Sequence, residues 1–412
     1  DEFSKQIRKM VAEYKPDNNS DIQTYSAEAG EDLSEFETMR LIVKSDEEID
    51  TLNAVSVISG YRDLWVLQFE SANDAAEAFE YYSALDKVEY VEPDRIVTLN
   101  TSEFSVPETR KNGHLSWGSE VIGSDEVLKY LTDNSIELAE VKVGIIDIGI
   151  DNNHEFLKDR LIDEGLNFTT SGDDTGMTED GDSHGTHAAG IIVDNSPSSV
   201  KLRSYKAFDF VGTSSDAAVI AAIDKAADDG MDIILCNFQL DDSEASIESL
   251  LNGGVTIVSS IGDGKTIEDR YIPGTLNEAI NVGAAGIDLL PTKYSGSGKS
   301  LDFIAPGDNI YSTYNNNEYG LVSSTSAFAA ASAAILIGMN PDLTPAQVEK
   351  RLKDNAVPID APCPTIKCGS GMLNISRALN AEYVTNAEIN IKSGIYQDSV
   401  TVEFTAAPNT KV

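Results

Sequence analysis

The chain has 412 residues, of which 41% are hydrophobic, so it is long enough for two or three domains and at least one large core. Its formal net charge of −39 argues against nucleic acid as a partner, because the phosphates would be repelled. No apolar run approaches the roughly 18 residues that a membrane-spanning helix needs. The acidic composition favours a secreted or cell-surface protein.

Residues 1–35 are polar and acidic, and they predict a loosely ordered leader. After them, strand patterns in TMRLIVKS, VSVIS and LWVLQFES alternate with helical patterns in DEEIDTLN and in a second helix capped by Ser71. VEYVEPD and RIVTL then return to an extended pattern. This order predicts a small α+β unit of the split βαβ, or ferredoxin-like, type over residues 36–99. The Pro, Gly and polar residues of 100–116 predict an exposed linker.

A larger region of alternating strands and helices begins at Trp117. The run VKVGIIDIGI is predominantly apolar, as expected for a strand buried on both faces. The segments VKLRSYKAF, MDIILCNF, VTIVSSIG and AINVGAAG follow it. This alternation predicts an α/β domain over residues 117–380, with a doubly wound, mostly parallel sheet covered by helices on both faces. The alternating pattern of residues 381–412 predicts the start of a β-sandwich-like module that is cut short.

The chain has three cysteines. Cys363 and Cys368, in CPTIKC, predict a small surface disulfide, which fits an oxidising exterior. Cys236 lies inside the apolar run MDIILCNF and predicts a buried core thiol. No cysteine pair has the spacing of a zinc site.

Two stretches place polar side chains where a doubly wound sheet forms its sites, at the carboxyl ends of strands. Asp147 ends the strand VGIID, where a buried charge is costly unless it is paired; the alternative is a turn-forming Asp beside Gly149. GDSHGTHAAGII supplies His184 and His187, but a metal pair is disfavoured because HExxH is absent and no Cys lies nearby. Gly185 and its small neighbours predict a helix packed closely on the sheet, which would hold His184 rigidly.

A third stretch, VSSTSAFAAASAAIL, places Ser323, Ser324 and Ser326 immediately before an alanine-rich helix. Taken alone, serines at this place indicate a helix cap, because their oxygens accept from the free N–H groups of the first turn. The choice between a cap and a nucleophile depends on the rest of the chain.

Taken together, the motifs resemble those of the subtilisin-like serine proteases, the subtilases. The Asp motif of that family appears as DIGID, its His motif HGTHVAG as HGTHAAG, and its Ser motif G-T-S as S-T-S. IAPGDNIYST, NPDLTPAQVEKRLKDNA and GSGMLN resemble its APG turn and closing helices, and the Asp, His, Ser order is that of subtilisin. The resemblance covers about residues 117–380 and implies a serine endopeptidase acting on proteins or peptides, with Asp147, His184 and Ser326 as its triad.

In that chemistry His184 takes the proton of Ser326 and later gives it to the leaving amine, while Asp147 holds the imidazole in the required tautomer. The positive end of the helix after Ser326 points at the developing oxyanion. A competing register makes Ala327 the nucleophile position. The upstream match through YGLVSSTS runs without a gap and favours Ser326.

The unit over residues 36–99 resembles the inhibitory propeptide of the family, down to its YVEPD ending. This implies a proenzyme whose own propeptide inhibits it, with a tail near Arg95–Asn100 that joins the substrate strands as an added β-strand. The resemblance also places the substrate-binding positions on one glycine and two strand ends. These are Gly212, Asn237, Phe238, Gln239, Ser259, Ser260, Ile261 and Gly262.

Several positions depart from the family pattern. Asp263 stands where the family keeps the Asn that donates to the oxyanion, and an ionised Asp cannot donate. The Ser helix lacks its Pro and is shorter, and Phe328 is bulkier than the usual residue. The substrate strand S-L-G-G reads N-F-Q-L, which leaves less room for a substrate. These departures keep open an alternative, a catalytically weak or inactive subtilase that serves as a binding or regulatory module.

Two further segments bear on metal binding. The long calcium loop of many subtilases is missing, because GIIVDNSPSSVKL is too short to hold it. The acidic run SGDDTGMTEDGD, residues 171–182, is a candidate for Ca²⁺, although such carboxylates are more often simply solvated. No other cofactor is expected.

Overall fold

The structure is a computed structural model. It describes residues 33, 36, 38–61, 63–98, 114–169, 183–209, 212–241, 243–251, 254–262, 271–322, 324–359, 363–384, 388–389 and 404–405. The leader over residues 1–35 and the linker over residues 100–116 lie almost wholly outside the described residues.

A small four-stranded sheet with one helix forms the first folded part. Its elements are β1 (Arg40–Lys44), β2 (Ser56–Tyr61), β3 (Leu64–Gln68), α1 (Ala72–Ser83) and β4 (Tyr90–Pro93). The strand order is β2-β3-β1-β4 and every pairing is antiparallel, as the split βαβ plan requires. Ser71 caps α1 as predicted, because its side chain accepts from the backbone N–H of Asp74. We call β1–β4 with α1 the N-terminal unit.

The helix predicted for DEEIDTLN does not form, and residues 46–53 contain bends and turns instead. The backbone N–H of Leu52 donates to Asp50 Oδ1 at 3.0 Å, and Leu52 has a φ of 50° in the left-handed region. A side chain that bonds the backbone two residues on offers the chain an alternative to the helix. The local turn forms in place of the helix that the sequence pattern indicated, so the prediction was wrong.

The sheet of the larger region has seven strands, all parallel, in the order β15-β14-β12-β10-β6-β8-β7. Its strands are β6 (Val141–Asp147), β7 (Leu166–Asn167), β8 (Val200–Lys206), β10 (Ile233–Cys236), β12 (Thr256–Ser260), β14 (Ile280–Ala285) and β15 (Phe303–Pro306). The predicted α/β class and parallel sheet are confirmed.

Helices and short strands complete the described part of this region. The helices are α2 (Gly118–Ile122), α3 (Ser124–Asp133), α4 (His184–Asp194), α5 (Asp216–Asp228), α6 (Glu244–Leu251), α7 (Ser326–Met339), α8 (Pro345–Asp354), α9 (Thr365–Cys368) and α10 (Ile375–Val384). The short strands are β5 (Ile96–Thr98), β9 (Thr213–Ser215), β11 (Leu240–Asp241), β13 (Tyr271–Ile272), β16 (Ile310–Tyr314) and β17 (Glu318–Val322).

The two faces of the sheet bury alternate residues of the same strands. In β10, Ile233 and Leu235 join the core that α4, α7 and α8 cover, whereas Ile234 and Cys236 join the core on the α5 side. A strand points successive side chains to opposite faces, so a sheet covered on both sides needs apolar residues at every position. This explains the continuous apolar runs of the sequence and places the Cys236 thiol in the core, as predicted.

The C-terminal part is described only in pieces. The disulfide predicted between Cys363 and Cys368 is present. Helix α10 continues four residues past residue 380, to Val384. β18 (Glu388–Ile389) pairs with β19 (Phe404–Thr405) in antiparallel fashion, and the rest of the predicted β module lies outside the described residues. No helix in the described ranges is long and apolar enough to cross a membrane.

Candidate active site

Asp147 and His184 meet at the carboxyl end of the central strand β6. Nδ1 of His184 lies 2.8 Å from Oδ2 and 3.0 Å from Oδ1 of Asp147, and both side chains are buried. The carboxylate can only accept when ionised, so Nδ1 donates and the proton-accepting nitrogen of the neutral ring is Nε2. Asp147 Oδ1 also accepts from the backbone N–H of Ile148 at 2.8 Å. The pair has the contact that a general base and its orienting carboxylate need.

Two glycines let α4 approach its neighbours closely enough to place His184. A Cβ at Gly185 would collide with the carbonyl oxygen of Gly149, and one at Gly190 would collide with side chains of the β16–β17 hairpin. Ser183, just before the helix, has a φ of 68° and turns the chain sharply into it. The close packing predicted from the small residues is therefore present, and it fixes His184 at the end of the sheet.

His187 does not share this site. Its ring is fully buried, and Nε2 donates to the carbonyl oxygen of Ile310 at 2.8 Å. Burial lowers the pKa of His187 to about 3, so the ring is neutral across the physiological range. This histidine ties α4 to β16. In the described parts of the chain, no group of three or more His, Cys, Asp or Glu side chains could hold a metal ion.

Ser326 is the first residue of α7, at the same edge of the sheet. Its side chain is buried, and its Oγ donates a hydrogen bond to Oδ1 of Asn237. Ser324 Oγ is also buried and has no hydrogen-bond partner among the residues described here. Ser323 lies outside the described residues. The assignment of the nucleophile to Ser326 stays a prediction.

The predicted substrate-binding residues lie along three backbone segments, and among them Asn237 contacts Ser326. They are Asn237, Phe238 and Gln239 after β10, Ser259, Ser260, Ile261 and Gly262 at the end of β12, and Gly212 before β9. Phe238 is fully buried in the core, with its ring centroid 5.4 Å from that of Phe208, so only its backbone can serve a ligand. Gln239 Nε2 donates to the carbonyl oxygen of Ser260 at 2.9 Å.

The chain that follows the N-terminal unit runs into this neighbourhood. β5 pairs in antiparallel fashion with β9, with Ile96 opposite Ser215 and Thr98 opposite Thr213. Thr213 directly follows Gly212, one of the predicted substrate positions. Residues 96–98 of the predicted tail therefore form an added strand on the larger region, and residues 99–100 lie outside the described part.

Two carboxylates of the N-terminal unit reach the starts of two helices. Asp94 Oδ1 accepts from the backbone N–H of Ala217 at 2.8 Å, in the first turn of α5. Glu92 Oε1 accepts from the backbone N–H of Ala245 at 2.9 Å, in the first turn of α6. The free N–H groups and partial positive charge of a helix start favour a carboxylate there. Both residues belong to the YVEPD ending, and these helix contacts were not predicted from the sequence.

An apolar contact lies beside these carboxylates. The side chains of one face of the small sheet pack against α5 and α6 in a cluster of their own. Its members are Ile42, Ile58, Leu64, Val66, Ala217, Ile220 and Ala245. Glu248 of α6 accepts from Lys44 Nζ at 3.1 Å and from the Tyr90 hydroxyl at 3.0 Å. The N-terminal unit is thus held by apolar burial and by polar contacts to both helices.

Two predicted features of the site fall outside the described residues. One is Asp263, the residue at the oxyanion position, which follows Gly262. The other is the acidic run over residues 171–182, the candidate calcium segment. Both remain predictions.

Comparison with known proteins agrees with this geometry. The family model described as the subtilase family matches residues 139–390. Subtilisin DY of Bacillus licheniformis is 30% identical over 260 residues, which is 58% of this chain and 91% of the relative. Subtilisin of Bacillus pumilus is 31% identical over 262 residues, with the same two shares. An alkaline protease of Shouchella clausii is 27% identical over 353 residues, or 82% of this chain and 84% of the relative.

The chain therefore belongs to the subtilase family. It is a serine endopeptidase of that family, and the predicted recognition is confirmed.

Proposed function

We propose that the chain is the proenzyme form of a secreted serine endopeptidase that cleaves peptide bonds through an acyl-enzyme on Ser326. The observation that carries the proposal is the buried contact between His184 Nδ1 and Asp147 at the edge of the sheet where α7 begins. A histidine oriented in this way is a base only for a group next to its Nε2, and Ser326 is the residue that the family pattern assigns to that place.

In the proposed reaction Ser326 Oγ leaves Asn237 by rotation of its side chain and attacks the carbonyl carbon of the substrate. The hydroxyl proton passes to His184 Nε2, and Asp147 stabilises the imidazolium. Collapse of the tetrahedral intermediate breaks the C–N bond, and the same proton goes to the leaving amine. Water, deprotonated by His184, then hydrolyses the ester and restores Ser326. The start of α7 favours the negative charge that develops on the substrate oxygen.

The proenzyme part of the proposal assigns residues 36–99 as an inhibitory propeptide, residues 100–116 as a linker and residues 117–380 as the protease domain. Support comes from β5, which occupies the edge of β9 that a substrate strand would use, beside Gly212. The match to the alkaline protease is also longer than the family region, so it extends beyond that region. Inhibition in trans tests this assignment. Residues 36–99, produced separately and added at micromolar concentration to the protease that lacks them, should block peptide hydrolysis.

Secretion is supported by the disulfide between Cys363 and Cys368, since such bonds persist in oxidising surroundings. The net charge of −39 agrees with an extracellular protein that must stay dispersed. Detection of the protein in the culture medium tests this location. Thiols are blocked before the cells are lysed, so that the disulfide state is preserved during handling.

A second candidate function is a weak or inactive subtilase that binds without cleaving. The observation in its favour is the bond from Ser326 Oγ to Asn237, which engages the hydroxyl proton that a general base would have to take. Peptide hydrolysis by the wild type, Ser326→Ala and Asp147→Asn separates the two. An active wild type with both variants strongly impaired supports the peptidase, and a wild type no faster than Ser326→Ala supports the binding module.

A further inference from the structure

Lys206 is a buried cation that the proposed reaction does not use. It is the last residue of β8, its side chain is buried, and its Nζ donates to the carbonyl oxygen of Ile148 at 2.6 Å. Lysine is almost never buried unless its charge is compensated, because an ammonium group loses much of its hydration in a protein interior. A lysine that is buried at this cost is expected to have a role, and its position in the sheet indicates what that role is.

The sheet places Lys206 beside Asp147. β6 and β8 are parallel neighbours, and their register pairs Asp147 with Lys206. Four residues earlier in each strand, Val143 pairs with Leu202, and both of these side chains lie in the core that α4 covers. Successive side chains of a strand alternate between its two faces, so residues four apart share a face. Lys206 and Asp147 therefore lie side by side on the face from which His184 approaches.

Ile148, the residue after Asp147, connects the ammonium to the carboxylate. Its backbone N–H donates to Asp147 Oδ1 at 2.8 Å, and its carbonyl oxygen accepts from Lys206 Nζ. The same carboxylate accepts from His184 Nδ1. A hydrogen bond from an ionised donor is roughly twice as strong as one between neutral groups. The lysine thus fixes the backbone residue whose N–H holds the carboxylate in place.

A second lysine of the same strand makes a comparable bond without this connection. Lys201, near the start of β8, donates through Nζ to the carbonyl oxygen of Asp159 at 3.1 Å, in an exposed contact. It pairs in register with Lys142, at the opposite end of β6 from Asp147. The two lysines therefore share a strand and a type of bond, and they differ in burial and in distance from the catalytic pair.

We propose that Lys206 is a positioning residue for the catalytic pair, because its ammonium fixes the backbone at Ile148 and so keeps the Asp147 carboxylate aimed at His184 Nδ1. The inference rests on the proposed function for the use of His184 as a base. Lys206 touches no reacting atom and acts only through Asp147. Without it the carboxylate is free to leave Nδ1, and the imidazole loses the partner that selects its tautomer.

NMR of the ring N–H protons tests this in the full chain, labelled with ¹⁵N in histidine alone. The chain has only four histidines, and a Ser326→Ala background prevents self-cleavage. The Nδ1–H signal of His184 is identified by its loss in His184→Gln. In Lys206→Met its exchange with water should be faster by about 10-fold or more, the scale on which one hydrogen bond to a charged group changes a local equilibrium.

His187 is the internal control, because it lies in the same helix and its Nε2–H donates to the carbonyl oxygen of Ile310. A substitution that merely loosened the fold would speed exchange at both rings, whereas the proposal predicts no change at His187. Lys201→Met is the matched control variant and should leave both rings unchanged. Lys206→Gln keeps an N–H donor without the charge, so its exchange rate at His184 should lie between those of Lys206→Met and the Ser326→Ala parent; it replaces Lys206→Met if that variant does not fold.

Peptide hydrolysis adds a second measurement in chains that keep Ser326. After incubation that allows self-processing, active sites are counted with a fluorophosphonate. In Lys206→Met, kcat per active site should fall by about 10- to 100-fold while KM stays within about threefold of wild type, since a small misplacement of a catalytic group costs on this scale.

An unchanged exchange rate at His184 in the Lys206 variants, or equal acceleration at His184 and His187, overturns the inference and leaves the peptidase standing. An inactive wild type whose Lys206 variants still show faster exchange at His184 alone rejects the proposed function and keeps the link from Lys206 to Asp147.

Discussion

Asp94→Asn should loosen the N-terminal unit more than any other single charge removal on it. Arg40 Nε lies 2.6 Å from Asp94 Oδ2, with side chains 2% and 0% exposed. Removing one partner of a buried pair leaves the other charge uncompensated, which costs about 3–5 kcal/mol. Asn retains an oxygen that can accept from Ala217, so the additional loss of the helix cap, about 0.5–2 kcal/mol, is largely avoided.

One effect opposes this loss. Burial raises the pKa of Asp216 well above its ordinary value, and the neighbouring charge of Asp94 adds to the shift. Removing the charge of Asp94 relieves part of that repulsion. We therefore expect a net loss of about 2–4 kcal/mol, set by the loss of the buried Arg40–Asp94 ion pair.

The assay is urea unfolding followed by fluorescence of Trp65 in a Ser326→Ala, Trp117→Phe background. The chain has two tryptophans, and Trp65 lies in β3, so this background isolates the signal of the N-terminal unit. At slopes of about 1–3 kcal/mol per molar urea, the midpoint should fall by about 1 M or more.

Asp86→Asn is the control for that experiment, because it removes the same charge from an exposed position of the unit. The free energy of unfolding of Asp94→Asn should lie well below that of this control. A difference of less than about 0.5 kcal/mol would refute the reasoning, since surface substitutions stay within that range.

Three further predictions concern other parts of the chain. The pKa of Asp216 is raised in the folded state, so its contribution to stability is present below the ordinary Asp pKa and is lost as pH rises above that value. In urea unfolding from pH 4 to 8, the free energy of unfolding of Asp216→Asn should therefore change less with pH than that of the wild type. Asp263→Asn should raise kcat at neutral pH by about 10- to 10³-fold, on the scale of the roughly 10²–10³-fold loss that removing this donor causes in subtilisin. An unchanged peptide-hydrolysis rate would show that Asp263 is not limiting. Phe328→Ala should lower the free energy of unfolding by about 3–5 kcal/mol, because the ring is fully buried and fills the space above Gly118, and a calorimetric Tm equal to wild type would contradict this.

The sheet could be predicted because the hydrophobic pattern of each strand indicates which of its residues are buried. The largely apolar β6 and the wholly apolar β10 indicate two covered faces, and the helices between the strands make the connections parallel. The pairing of Asp147 with His184 was predicted from the family resemblance, and the position of both residues at the strand-end edge of the sheet agrees with it.

The contacts that seat the N-terminal unit could not be predicted in this way. Asp94 and Ala217 are 123 residues apart, and Glu92 and Ala245 are 153 apart. No local pattern connects such positions, and a carboxylate near a strand end looks the same in the sequence whether it is solvated or caps a distant helix. The bond from Ser326 to Asn237 is hidden from the sequence for the same reason, as is the bridge from Gln239 to Ser260.

The most direct test of the central claim is site-resolved labelling by a fluorophosphonate probe, mapped by mass spectrometry of the digested protein. The probe needs a nucleophilic serine beside a working base, and it needs no knowledge of the substrate. We predict a single labelled residue, Ser326, with labelling lost in Ser326→Ala and in His184→Ala. Labelling at Ser323 or Ser324, or none in the wild type, would contradict the account.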